Sequence, residues 1–243
     1  MIEREVIVTT KHGRMPTFMA APEAPEVSPG IIFYMDAPGI REELRNMARR
    51  IAKHGYVCLL PDMYYRLGTV LFDIPRRDDA MSGVIRASMN SLSIPHVNDD
   101  TAAMLAWFDA NDRVKPGLVG CVGHCMSGRY ITAVAAAFPH RMAAAASLYG
   151  VGIVTDHDDS PHLSVGKIRG ELYYAFAEHD QSVPANVIPE LQAALNKADV
   201  KATVETFAGT HHGFCFPERA VYDTLASEVT WAKIFALWDR HLK

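Results

Sequence analysis

No apolar run in the sequence approaches the roughly 18 residues that a membrane span requires. The first residues, MIEREVIVTTKHGR, are charged and strand-like and lack the apolar stretch of a signal peptide. There is no basic excess either: 24 Lys and Arg stand against 28 Asp and Glu, a formal charge of −4. The electrostatic footprint of a nucleic-acid binder is therefore missing. Cysteine is scarce, with only Cys58, Cys121, Cys125 and Cys215. That is too few for a disulfide scaffold. Three of the four sit in apolar runs or beside motif glycines, which fits a reducing compartment. No internal repeat, low-complexity segment or interdomain linker interrupts the chain. These absences leave the expectation of one cytoplasmic α/β domain over residues 1–243, without nucleic-acid or membrane partners. Its size allows about 70–75% of the unfolded surface to be buried, enough for a core without staples.

The apolar segments follow two periods. Glu3 to Thr10 alternates, Lys11-His12-Gly13 turns, and Arg14 to Ala20 returns, which predicts an antiparallel hairpin at a sheet edge. The stretch 21–30, with Pro22, Pro25 and Pro29, reads as a loop. Gly30 to Met35 is a continuous apolar run, as expected of a strand covered on both faces. Arg41 to His54 is a helix with Leu44, Met47, Ala48 and Ile51 on one face, stopped by Gly55; Tyr56 to Leu60 is a further strand. Strand, helix and strand in alternation imply a mostly parallel sheet with helices on both faces. Met63 to Ile94 has no clear period. A helix is expected over Val97 to Asp109, capped by Asn98 or Asp99. After it come strands at Leu118–Val122, Met142–Tyr149, Glu171–Ala177 and Lys201–Phe207. Helices are expected over Tyr130–Phe138, from Val183-Pro184 to Lys197, and over Glu218–Leu242. Thr155 to Lys167, rich in Asp and His, reads as a solvated loop without metal-ligand spacing.

The chemistry concentrates at LVGCVGHCMSGR, Leu118 to Arg129. Strand, tight turn, reactive side chain and helix form the layout of a nucleophile elbow, here with Cys125 at the nucleophile position. Small neighbours, Gly123, Ser127 and Gly128, let strand and helix approach. The turn places Cys125 at a helix N-terminus, where the dipole favours a thiolate. The Met126 N–H would face a developing oxyanion. Asp180 and His212 also follow expected strands, and sites in parallel sheets form at the carboxyl ends of strands. Nucleophile, acid and histidine occur in α/β-hydrolase order. A thiol needs a base, which His212 supplies, with His211 beside it as the other histidine of that loop. A carboxylate then orients the imidazole.

Several motifs in register resemble the dienelactone hydrolase family: GHCMSG around Cys125, AEHDQSVP around Asp180, THHGF around His212, PDMYYR from Pro61, HGY from His54 and YGVG from Tyr149. The resemblance covers most of the chain. It implies an α/β-hydrolase fold and a Cys-His-Asp triad of Cys125, His212 and Asp180 acting on small esters or lactones. It implies no metal or organic cofactor. The family's activating glutamate corresponds to Asp36, one methylene shorter. The implied oxyanion hole is made by the N–H groups of Ala37 and Met126. Family members bind a substrate carboxylate with arginines. One of those places is Phe216 here, with Arg219 the nearest arginine downstream. For the other, Arg76, Arg77 and Arg86 are candidates. A different reading treats Cys121, His124, Cys125, His211, His212 and Cys215 as the ligands of a metal-binding or redox-sensing protein without hydrolase activity.

Overall fold

The structure is a computed structural model that describes residues 1–23 and 27–243. Pro25 of the expected loop lies outside the described residues. The chain divides into two compact units, Met1–Gly117 and Leu118–Lys243.

In the first unit, β1 (Ile2–Thr10) and β2 (Gly13–Ala21) pair antiparallel from Ile2↔Ala21 to Thr10↔Gly13. Their alternation is real: Val8 is buried while Ile7 is exposed. Next come β3 (Gly30–Tyr34), α1 (Glu42–Lys53) and β4 (Val57–Pro61). β2 pairs antiparallel with β4, and β4 pairs parallel with β3. Every residue of β3 and β4 is buried, as expected where both faces of a sheet are covered. α1 buries the expected face, Leu44, Met47, Ala48 and Ile51.

The stretch without clear period contains two single 3₁₀ turns and α2 (Asp79–Asn90), whose N-terminus is capped by Asp78. Only Ile85 and Ser88 of α2 are buried, so the helix leaves almost no apolar period in the sequence. α3 (Ile94–Asp109) starts earlier than expected. Its cap is Ser93, whose hydroxyl accepts the His96 N–H at 3.3 Å, and Pro95 occupies the first turn, where no N–H is required. Asn98 and Asp99 lie inside the helix, and the Asp99 carboxylate takes Lys11 and His12 instead. The PDMYYR stretch fastens the end of β4 to α3. The Arg66 guanidinium forks onto the buried Asp100 carboxylate at 2.9 and 2.7 Å, and the Tyr65 hydroxyl donates to it at 2.8 Å.

The second unit contains β5 (Val119–His124), α4 (Gly128–Ala137), β6 (Met142–Leu148), β7 (Glu171–His179), α5 (Val187–Lys197), β8 (Ala202–His211) and α6 (Thr224–Leu242). β5, β6, β7 and β8 pair parallel in that order. The alanines of β6 leave room for close packing. A side chain at Gly128 would come within 2.2 Å of the Gly150 Cα, so helix start and post-strand turn meet backbone to backbone.

This unit differs from expectation in several places. α5 begins at Val187, since Val183 and Pro184 form a turn ahead of it. α6 begins at Thr224, capped by the Asp223 carboxylate on the Ala226 N–H, and 217–222 are not helical. Within the solvated stretch, Pro161–Lys167 forms 3₁₀ helix. β8 continues to His211 although Ala208-Gly209-Thr210 reads as loop. Its register steps from Ala177↔Phe207 to His179↔His211 through a bulge.

Candidate active site

Cys125 follows directly on β5 and opens a 3₁₀ turn, Cys125–Ser127, that runs into α4. Its backbone is left-handed, with φ +53°, a strained setting for a residue with a side chain. The turn is held from outside: the Val151 N–H donates to the Cys125 carbonyl at 2.9 Å. It also needs small neighbours. A Cβ at Gly123 would come within 2.8 Å of the Ser127 Cβ. Cys125 is half-buried, whereas Cys58, Cys121 and Cys215 are buried, and all four are free thiols. Burial drives the thiols of Cys58 and Cys121 far above the ordinary range, which makes them unreactive at neutral pH.

Asp180 and His212 each stand one residue beyond the paired positions His179 and His211 of two adjacent parallel strands. The bulge in β8 thus brings residues 32 apart in sequence side by side. The His212 Nδ1 lies 2.7 Å from the Asp180 Oδ2, with the two side chains 18% and 3% exposed. The other Asp180 oxygen accepts the Ser182 N–H at 2.9 Å, so the carboxylate is oriented before it meets the ring. Burial opposes a charge on His212. Asp180 and the Cys125 thiol outweigh it, and the imidazole pKa is raised to about 9. Nε2 is buried and carries no hydrogen bond of ordinary length, so thiol and imidazole influence one another without a closed bond. His211 is exposed and faces the His179 ring at 5.1 Å. An open depression lined by Asp180, His212, Gln181, Ser182, His179 and His211 gives access from solvent.

An aromatic cluster surrounds this histidine. The Tyr149 ring meets His212 edge to face at 5.2 Å, and His124 packs against Phe216 at 5.0 Å. Phe216 is fully buried, and the Arg219 guanidinium lies over its ring at 4.5 Å. Met126 is buried within the elbow turn.

In the first unit, Asp36 is fully buried and paired with Arg41, at 2.5 Å and 3.1 Å through two oxygens. The adjoining Ala37 carbonyl accepts the Tyr64 hydroxyl at 2.8 Å. Neither Arg41 nor Tyr64 had a role assigned from sequence. The signal was their closeness to Asp36 and the PDMYYR motif. Arg76, Arg77 and Arg86 are exposed, the first near Asp73 at 3.3 Å and the second donating to Ser82 at 2.9 Å. Among the described residues no group of three or more His, Cys, Asp or Glu is arranged to hold a metal ion. None of the helices among them is long and apolar enough to cross a membrane.

Parallel strands crossed by helices, a left-handed cysteine turn after β5, and a histidine–aspartate pair at the ends of β7 and β8 define an α/β-hydrolase. The comparisons narrow the class. Residues 15–242 match the Dienelactone hydrolase family. A Synechocystis protein provisionally named carboxymethylenebutenolidase is 28% identical over 98% of this chain and 96% of its own. The crystal structure of a provisionally named dienelactone hydrolase from Klebsiella pneumoniae superposes with a TM-score of 0.88, at 22% identity, over 99% of both chains. A dienelactone hydrolase-like promiscuous phosphotriesterase from metagenomic libraries superposes at 0.82, with 19% identity over 100% of this chain and 99% of its own. The chain belongs to the dienelactone hydrolase family and is a hydrolase acting on carboxylic ester or lactone bonds.

Proposed function

We propose that the protein cleaves small esters or lactones by nucleophilic catalysis, with Cys125 as nucleophile, His212 as base and Asp180 as its orienting acid. The observation that carries this is the His212–Asp180 pair beside a cysteine held in left-handed backbone. The family match covers both units, which supports reading 1–243 as one domain.

In the first half-reaction His212 Nε2 holds the proton that the thiol has given up, as its raised pKa favours, and the sulfur attacks the acyl carbon. The carbonyl oxygen becomes an oxyanion, taken by the Met126 N–H and, on the family pattern, by the Ala37 N–H. The carbon–oxygen bond of the ester breaks, and the leaving alcohol or enolate takes the proton from His212. In the second half-reaction His212 removes a proton from water, the hydroxide attacks the thioester, and the acid leaves as the thiol is restored. Asp180 keeps Nδ1 protonated throughout and offsets the imidazolium charge.

Asp36 enters on the family pattern as the carboxylate that assists the resting thiol, with Arg41 hydrogen-bonded to both of its oxygens. Arg76, Arg77 and Arg86 are the candidates for a substrate carboxylate. A buried Phe216 where the family places an arginine favours a less acidic ester. The test is hydrolysis of a dienelactone and of an aryl acetate by wild type and by Cys125→Ala. Loss of at least about 10³-fold in kcat for the variant on either substrate is the expected result. Activity unaffected by the substitution overturns the mechanism. Strong preference for the acetate would mean that the carboxylate pocket differs from that of the family's dienelactone enzymes.

A further inference from the structure

The Asp180 hydrogen bond fixes one edge of the His212 imidazole, but a single bond leaves the ring free to rock about it. Something must hold the plane of the ring so that Nε2 stays aimed at the sulfur. Tyr149 is the first residue after β6 and is itself left-handed, with φ +38°. Glycine would take that backbone without strain; Gly152, three residues on, has φ +66°. A strained tyrosine at such a place points to a need for its side chain.

The ring is fully buried and meets four others. His212 lies at 5.2 Å and 63°, Phe214 at 5.3 Å, His124 at 5.6 Å and Phe216 at 6.1 Å. His124 directly precedes Cys125, while Phe214 and Phe216 follow His212, so one ring touches the flanks of both nucleophile and base. The segment that carries it is tied to β7 and to the cysteine turn. The Tyr149 N–H donates to the Ala175 carbonyl of β7 at 2.6 Å, and the Val151 N–H donates to the Cys125 carbonyl at 2.9 Å.

Resting on the triad reading above, we infer that Tyr149 is a positioning residue, whose ring fixes the plane of the His212 imidazole against Cys125. Asp180 sets the tautomer and Tyr149 sets the orientation. The edge-to-face ring contact does this without a hydrogen bond or proton transfer, so the ring and not the hydroxyl carries the role.

The test uses the full chain with Tyr149→Phe, Tyr149→Leu and Tyr149→Gly, each checked for folding by its thermal transition. Two readouts are taken: kcat and KM on an aryl acetate, and the pH dependence of Cys125 alkylation by iodoacetamide. Tyr149→Phe should stay within about threefold of wild type, because the ring remains. Tyr149→Leu should lose about 10- to 100-fold in kcat with little change in KM. Its alkylation profile should move toward that of an isolated thiol. Tyr149→Gly relieves the backbone and removes the ring. It should melt no lower than Tyr149→Leu and be equally slow, and it decides the matter if the leucine variant does not fold.

Wild-type kcat and profile in Tyr149→Leu or Tyr149→Gly would overturn the inference, as would a loss in Tyr149→Phe equal to that in Tyr149→Leu. Cys125→Ala is measured alongside. If that variant keeps full activity, the triad reading itself has failed; if it is inactive while the Tyr149 variants behave as wild type, only the positioning role has.

Discussion

Asp180 and His212 share one hydrogen bond of 2.7 Å, and two consequences follow from it at neutral pH. The imidazole stays charged well above its usual range, since its pKa is raised to about 9. A folded-state pKa raised above the unfolded value of about 6.5 adds stability that is fully present below pH ~6.5 and is lost as pH rises toward ~9. Replacing Asp180 with Asn removes the charge, and the amide can no longer favour imidazolium. Asp180→Asn should therefore bring the His212 titration down toward neutrality, as followed by its ring proton resonances. It should also reduce kcat by about 10²- to 10⁴-fold. An unchanged titration would mean that Cys125 and burial, not Asp180, govern the ring. Asp180 and His212 could be singled out from sequence as candidates because each stands at a strand end in hydrolase order. In the structure, pairing across β7 and β8 turns His211 to solvent opposite His179 and leaves His212 to meet the carboxylate.

At the scale of elements, the site depends on how closely α4 can approach the turn after β6. Gly128 begins α4, and a Cβ there would meet the Gly150 Cα at 2.2 Å and the Ser147 hydroxyl at 2.8 Å. Backbone cannot give way as a flexible side chain can. Gly128→Ala should cost about 3 kcal/mol, lowering the melting temperature by roughly 6–12 °C. Because the same turn holds the Cys125 carbonyl through Val151, alkylation of Cys125 should slow as well; a variant with wild-type melting and alkylation would refute the close-packing account. The strands and the amphipathic α1 were legible because burial imposes a strong period on them. α2 was not, since it is mostly exposed. The beginnings of α3, α5 and α6 were misread for a local reason. Asn98, Asp99, Pro184 and Glu218 are all plausible helix starters, and only the packing of each helix decides which polar residue caps it.

Across the chain, the family match from residue 15 to 242 covers both units, while stability has local centres far along the sequence from the site. One is Glu171, buried at the start of β7 with Lys201, Arg240 and His241 around it at 2.6, 2.6 and 2.8 Å. Burial alone would raise its pKa, but the hydrogen bonds from Lys201, His241 and Arg240 outweigh it and hold the carboxyl down at about 2. A depressed folded-state pKa gives stability that is present above the unfolded value of about 4.5 and is lost as pH falls toward 2. Glu171→Gln should cost about 3 kcal/mol at neutral pH, read from denaturant unfolding. The difference from wild type should shrink steadily below pH ~4.5; a difference independent of pH would show that packing, not charge, is lost.

The sequence by itself determined the fold class, the order of strands and helices apart from α2, and the three side chains placed at strand ends. Those follow from the local period of burial and from the turn chemistry of Gly, Cys and Asp, which act over a few residues. Only the tertiary structure decided the partners: Arg41 on Asp36, Arg66 on Asp100, the bulge that aligns Asp180 with His212, and the ring of Tyr149 against the imidazole. These contacts join residues brought together by chain folding, and their geometry depends on packing that no local pattern encodes.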